Sequence, residues 1–135
     1  TMVKAKGREE GHKRWQHIMQ EAAEQCERLT LPALLTPLEL NEYLKSNQAP
    51  RQTRLLLQER SQAPDMVSYL YNRDRAPENE IIILSGPEGG FSGDECSAIK
   101  AAGFIPVSLG STILRAETAS IIGAAIASAS RESLD

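Results

Sequence analysis

At 135 residues and 41% hydrophobic content the chain is one domain by length, and it can bury a core of its own. Its net charge of −3 excludes the strongly basic field of a dedicated nucleic-acid binder, although residues 1–31 hold the basic excess, with six Lys and Arg against five Glu. Cys26 and Cys96 are too few and too far apart for a zinc cluster or a disulfide framework, so they read as small core hydrophobes and no metal is expected. No signal peptide is expected, and the small-residue run Ala116–Ala129 is too short and too polar to cross a membrane.

From about Glu9 to Leu29, residues Trp15, Ile18, Met19, Ala22, Ala23, Cys26 and Leu29 recur on one helical stripe. His12, Arg14, His17, Glu21, Gln25 and Arg28 take the opposite face, which reads as solvated or RNA-facing, with Arg14 and Arg28 as the candidate RNA contacts. Leu31–Leu35 then reads as a short strand. Thr36 as cap, Pro37 at the first helical position and Glu39 reaching back open a second helix, expected to end near Lys45–Asn47. Arg54–Gln58 is a buried strand, Pro64–Tyr71 a helix, Asn72–Asn79 a polar loop and Glu80–Leu84 the next strand. Ser92 and Glu95 form a capping box that starts a helix through Ile99 to Ala102, with Gly103 as its stop. Phe104–Leu109 reads as a strand and Arg115–Ser130 as the final helix. Strands alternating with helices predict an α/β domain whose sheet is mostly parallel.

Two loop signatures carry the function. Ile81-Ile82-Ile83-Leu84 has no polar alternation, as in a strand covered on both faces, and runs into the glycine-rich SGPEGGFSG at 85–93. The run 104–109, read as an adjacent strand, leads into LGSTILRAETA at 109–119. Open α/β sheets bind ligands beyond the C-terminal ends of their strands, and glycines let backbone approach a ligand closely. Neither loop has the GxGxxG or GxxxxGK[ST] spacing, so dinucleotide and phosphate-loop readings fall. Arg115 at a helix start opposes the helix dipole and requires a partner: Glu88, Glu117 or a ligand.

GPEGGFS, Glu95 and LGSTILRAETA together resemble the RsmE family of bacterial small-subunit ribosomal RNA uridine-N3 methyltransferases. The first helix agrees, through Arg14-Trp15, Ile18, and the Glu21-Ala22, Glu24-Gln25 and Arg28 pattern followed by Leu31-Pro32. The resemblance implies a SPOUT methyltransferase fold with a C-terminal deep trefoil knot, an exception to the rule against threaded topologies. It also implies a cytoplasmic enzyme. On it, residues 1–135 correspond to the methyltransferase domain, without the family's PUA-like RNA-binding barrel and without the domain's first strand–helix unit.

Carried over residue by residue, the resemblance implies a pocket for S-adenosyl-L-methionine. Leu84, Ser85, Gly86, Pro87, Glu88 and Gly89 line one side, and Leu109, Gly110, Ser111, Ile113, Leu114 and Arg115 the other. Adenine fits among Leu84, Leu109, Ile113 and Leu114. Glu88 either holds a ribose hydroxyl or the cofactor's amino end, or bonds its own loop. Arg115 stabilises the developing uracil oxyanion, or instead braces the fold through Glu88 or Glu117. Thr118 is a second catalytic candidate or a helix-start hydroxyl. The partners implied are small-subunit ribosomal RNA and a second copy of the chain. Ala119, Gly123 and Ala127 place small side chains on one helical face, which either packs on the sheet or meets the second copy. A SPOUT enzyme for another RNA, or a non-catalytic RNA-binding or dimerisation module, are the alternatives.

Overall fold

The computed structural model describes residues 5–46, 51–59, 63–72 and 80–132. They belong to two compact units, Thr1–Leu40 and Asn41–Asp135.

The first unit is built on α1 (Ala5–Gln25), which carries the predicted helix. Its apolar stripe is only partly covered: Ala23 is buried, whereas Trp15, Ile18, Leu29 and Cys26 are exposed. Cys26 is therefore not the core hydrophobe expected. On the other face His17 meets Glu21 at 3.5 Å, Arg14 and Arg28 are exposed, and His12 is half-buried rather than solvated, its Nε2 enclosed without a partner. The helix ends in a Schellman motif. Arg28 N–H donates to Ala23 C=O at 2.9 Å and Glu27 N–H to Glu24 C=O at 3.2 Å, with Glu27 in the left-handed region at φ 56°.

Residues 31–39 form neither the predicted strand nor the predicted helix start. A strand exists only through pairing, and among the described residues 31–35 has no partner strand; Leu31 and Leu35 are exposed, and Pro32 has no N–H to donate. The signal at Thr36-Pro37 is overridden because proline's φ suits extended backbone as well as a helix start. The next helix, α2 (Leu40–Ser46), begins later, and the predicted end at Asn47 lies outside the described residues.

In the second unit three strands form one parallel sheet: β1 (Gln52–Leu57), β2 (Glu80–Leu84) and β3 (Ile105–Val107), in the order β2-β1-β3. The runs at 81–84 and 104–109 are thus not adjacent, as the sequence suggested; β1 lies between them. The register pairs Leu55 with Ile83 on one side and with Ile105 on the other. Leu55 and Leu56 are both fully buried, because this central strand is covered on both faces. Each such side chain contributes roughly 1.5–3 kcal/mol of apolar burial. The Ile81–Leu84 run is half-buried, since β2 is an edge strand.

Alternation along β1 assigns the faces. Leu55 packs in a core with Met66 and Leu70 of α3 (Met66–Asn72), Val107 and Ala127 of α5 (Ala116–Glu132). Arg54, of opposite parity, donates to Ala102 C=O at 2.8 Å at the end of α4 (Gly93–Ala101), so α4 covers the other face. The predicted capping box is present: Glu95 N–H donates to Ser92 Oγ at 3.2 Å and Ser92 N–H to Glu95 Oε2 at 2.8 Å. Gly103, at φ 87°, ends that helix as expected. Asp65 caps α3 by accepting from Ser68 N–H at 3.0 Å; the loop after this helix falls on 73–79, outside the described residues.

The small face of α5 is taken by the chain itself. A Cβ built on Gly123 would lie 3.1 Å from Leu57 Cδ1 and 3.7 Å from Ile83 Cγ2, and Ala119 and Ala127 are buried. A second copy therefore cannot use Ala119, Gly123 and Ala127.

Candidate active site

All three strands run toward the same end of the sheet, and the segments leaving them surround a cleft of about 760 Å³. The loop after β2 enters it through a turn closed by Gly90 N–H donating to Pro87 C=O at 2.8 Å, with Gly90 at φ 72°. Space is tight at Gly86, where an added Cβ would stand 3.3 Å from the Phe91 ring. Gly110, in the loop after β3, is required for conformation: its φ is 117°, and no atom lies within 4 Å of a Cβ built there. Ser85, Gly86, Pro87 and Glu88 line one wall, and Leu109, Gly110, Ile113, Leu114 and Arg115 the other.

Of the remaining candidates, Leu84, Gly89, Ser111 and Thr118 do not line the cleft. Thr118 is exposed in the first turn of α5, which favours its reading as a helix-start hydroxyl. Leu57, Gln58 and Glu59, from the end of β1, line the cleft and were missed. The missing signal is topological: only an intervening central strand brings 57–59 between the two loops, and local spacing carries no trace of it. Phe91, Cys96 and Thr112 line it as well, as do Ala116, Glu117 and Ala119 of α5. Cys96 is half-buried, 3.9 Å from Gln58 Nε2, so it too is not a core residue.

Three carboxylates (Glu59, Glu88 and Glu117) and one guanidinium (Arg115) line the cleft, all four exposed. Among the described residues the Arg115 side chain makes neither an ion pair nor a hydrogen bond, so the bracing contact with Glu88 or Glu117 is not formed. A cation held at the cleft without a protein partner leaves its donors for a ligand. Among the described residues no three His, Cys, Asp or Glu side chains cluster as a metal site, and no helix is long and apolar enough to cross a membrane.

Residues 1–128 match the family model for the RNA methyltransferase domain. The chain belongs to that family. Its curated relatives include the ribosomal RNA small subunit methyltransferase E of Synechocystis sp., 41% identical over 120 residues, covering 89% of this chain and 39% of the relative. The enzyme of the same name from Rickettsia conorii is 38% identical over 102 residues, or 75% of this chain and 40% of the relative. A crystal structure of the ribosomal RNA small subunit methyltransferase E from Neisseria gonorrhoeae, bound to S-adenosyl methionine, is similar with a TM-score of 0.76. Its identity is 33%, over 94% of this chain and 48% of that one. The chain thus spans less than half the length of these methyltransferases, and the match covers both of its compact units.

Proposed function

We propose that the chain is the catalytic part of an S-adenosylmethionine-dependent methyltransferase acting on N3 of a uridine in small-subunit ribosomal RNA, in the cytoplasm. The observation that carries this reading is the cleft at the strand ends, lined by the two family loops, with an Arg115 that has no side-chain partner among the described residues. Its volume of 760 Å³ falls in the range of roughly 300–1,000 Å³ typical of small-molecule sites. Leu57, Leu109, Ile113 and Leu114 supply apolar walls for an adenine, and the turns at Gly86–Gly90 and Gly110 bring backbone donors and acceptors to its edge. Glu59, Glu88 and Glu117 suit a ligand bearing a sulfonium and an ammonium. Glu88 fits a ribose hydroxyl or that ammonium.

When bound, S-adenosylmethionine supplies an activated methyl group on sulfur. Uridine N3 becomes nucleophilic only as its imide proton leaves, and negative charge then develops on the ring carbonyls. Arg115 offers planar paired N–H donors for that charge, in a cleft where they are not already spent. Arg14 and Arg28 on the first unit serve as RNA contacts, supported by their exposure.

The family resemblance further supports a deep trefoil knot formed around the two loops, and a homodimer. With the small face of α5 packed on its own sheet, the interface falls to the opposite face, where Thr118, Ile121, Ala125 and Ser128 are exposed at helical spacing and Ile121 is 70% exposed. Sedimentation of Ile121→Glu as a folded monomer supports this interface, and an unchanged dimer removes it.

The test of the activity is calorimetric titration with S-adenosylhomocysteine, followed by methyl transfer to small-subunit ribosomal RNA with the modified nucleotide mapped by mass spectrometry. Binding together with N3-methyluridine is expected. Absence of binding overturns the cofactor reading, and a methyl group on another RNA or atom overturns the substrate.

A further inference from the structure

The geometry points to Ser108 as a positioning residue that sets the cofactor wall of the cleft, an inference that rests on the cofactor reading above. Ser108 stands just past β3 and is 8% exposed, one of few buried polar side chains among the described residues. Its hydroxyl spans the turn that follows. Oγ donates to Gly110 C=O at 2.9 Å and accepts from Gly110 N–H at 3.1 Å, so one side chain satisfies both backbone groups of the residue two ahead.

Those bonds hold Gly110 at φ 117°, a region that L side chains rarely enter, and the direction taken there brings Thr112, Ile113, Leu114 and Arg115 to the cleft wall. A Cβ built on Gly110 would meet no atom within 4 Å, so the space on that side of the turn is open. The serine itself is fixed from behind. Its N–H donates to Pro64 C=O at 3.0 Å, and its C=O accepts from Met66 N–H at 2.9 Å at the start of α3. The preceding Val107 is fully buried and accepts from Gln58 N–H at 3.0 Å. An anchor in the core thus ends in a single hydroxyl that reaches the backbone of Gly110. Ser108 does not line the cleft; it acts through Gly110, Leu109 and the segment to Arg115.

Removing the hydroxyl leaves the N–H and C=O of Gly110 without their partner and releases the wall before the ligand arrives, so binding must then order it. Ser108→Ala is expected to weaken S-adenosylhomocysteine about tenfold, the order of one or two lost hydrogen bonds. Amide exchange at Gly110 should accelerate, while exchange at Leu55 and Val107 stays slow. Ser108→Thr, which keeps the hydroxyl, should restore most of the affinity. An unchanged dissociation constant in Ser108→Ala overturns the inference. So does a loss accompanied by equally faster exchange at Leu55 and Val107, which marks a general loss of structure. If the unaltered protein takes up no S-adenosylhomocysteine, the cofactor reading fails, and Gly110 exchange alone then judges the clamp: faster in Ser108→Ala sustains it, unchanged removes it.

Discussion

The loop after β2 and the loop after β3 occupy equivalent places, one on each side of the β1 end, yet they are held by different chemistry. Residues 85–95 stabilise themselves. A turn bond joins Pro87 and Gly90, Phe91 folds back toward Gly86, and Ser92 and Glu95 cap α4, all within one short stretch. The 108–115 loop has no such local set. Its turn depends on the Ser108 hydroxyl, and the backbone of that serine is bonded to residues 64 and 66 at the start of another helix. The locally built loop contributes no cationic side chain to the cleft, whereas the remotely anchored one contributes Arg115. The backbone path of the loop that carries Arg115 is therefore tied to the sheet core as well as to its own sequence.

The largest effect should come from Arg115. Lysine keeps the charge but loses the planar pair of donors, so Arg115→Lys is expected to lower the methyl-transfer rate by about a hundredfold, the order seen on removing one oxyanion donor. Affinity for S-adenosylhomocysteine should change by no more than about threefold. Near-normal turnover in single-turnover assays would reduce Arg115 to a structural residue and erase the functional contrast between the loops.

Glycine substitutions probe the same contrast at smaller scale. Gly110→Ala meets no steric obstacle but forces alanine to φ 117°, a strain of about 1–3 kcal/mol. Relief by rotating the turn should weaken S-adenosylhomocysteine about tenfold or more. Gly89→Ala has open space and no positive φ, so its affinity should stay within about twofold of the unaltered protein. Equal losses in the two variants, measured by calorimetry, would mean that loop flexibility rather than the conformation of Gly110 governs binding.

What the sequence reveals follows the same division between local and remote causes. The capping box at Ser92–Glu95, the stop at Gly103 and the apolar β1 run are legible because their determinants lie within a few residues. The strand expected at Leu31–Leu35 fails because apolar residues form a strand only where another strand accepts their hydrogen bonds. Gln58 and Glu59 were invisible as cleft residues because the sheet order, not their spacing, puts them there. The small face of α5 is legible as a close-contact surface, but its partner is decided by tertiary packing on Leu57 and Ile83. Both cleft-loop motifs are legible, whereas Ser108, which bonds the turn of one of them, looks like any serine at a strand end.

A capping test sharpens the distinction between stabilising a loop and positioning a ligand. Ser92→Ala removes the side-chain half of the α4 box and should cost about 1 kcal/mol in urea unfolding. Affinity for S-adenosylhomocysteine should be unaffected within about twofold, because Ser92 does not line the cleft and the Pro87–Gly90 turn bond remains. A parallel loss of affinity would show that the 85–91 wall also depends on the helix start.

The smallest effect compares two helix ends of one geometry. After α4, Phe104 N–H donates to Ile99 C=O at 3.3 Å and Gly103 N–H to Lys100 C=O at 3.0 Å, with Gly103 at φ 87°. After α1, Arg28 and Glu27 make the same pair of bonds to Ala23 and Glu24, but the left-handed position carries Glu27 at φ 56°. A glutamate there suffers the Cβ clash that glycine escapes, and its exposed side chain has no hydrogen bond or ion pair among the described residues to offset it. Glu27→Gly should therefore stabilise the end of α1 by about 0.5–1 kcal/mol, the clash relieved less the extra entropy of an unfolded glycine. The gain should appear as slower amide exchange at Glu27's position and at Arg28. Gly103→Ala should do the reverse at α4 by a similar amount, since a Cβ there lies 3.6 Å from Arg54 Nη1, an ordinary contact, and leaves φ as the only cost. If Glu27→Gly is neutral or destabilising, the turn after α1 is held by the residues around it rather than by its own dihedral angle.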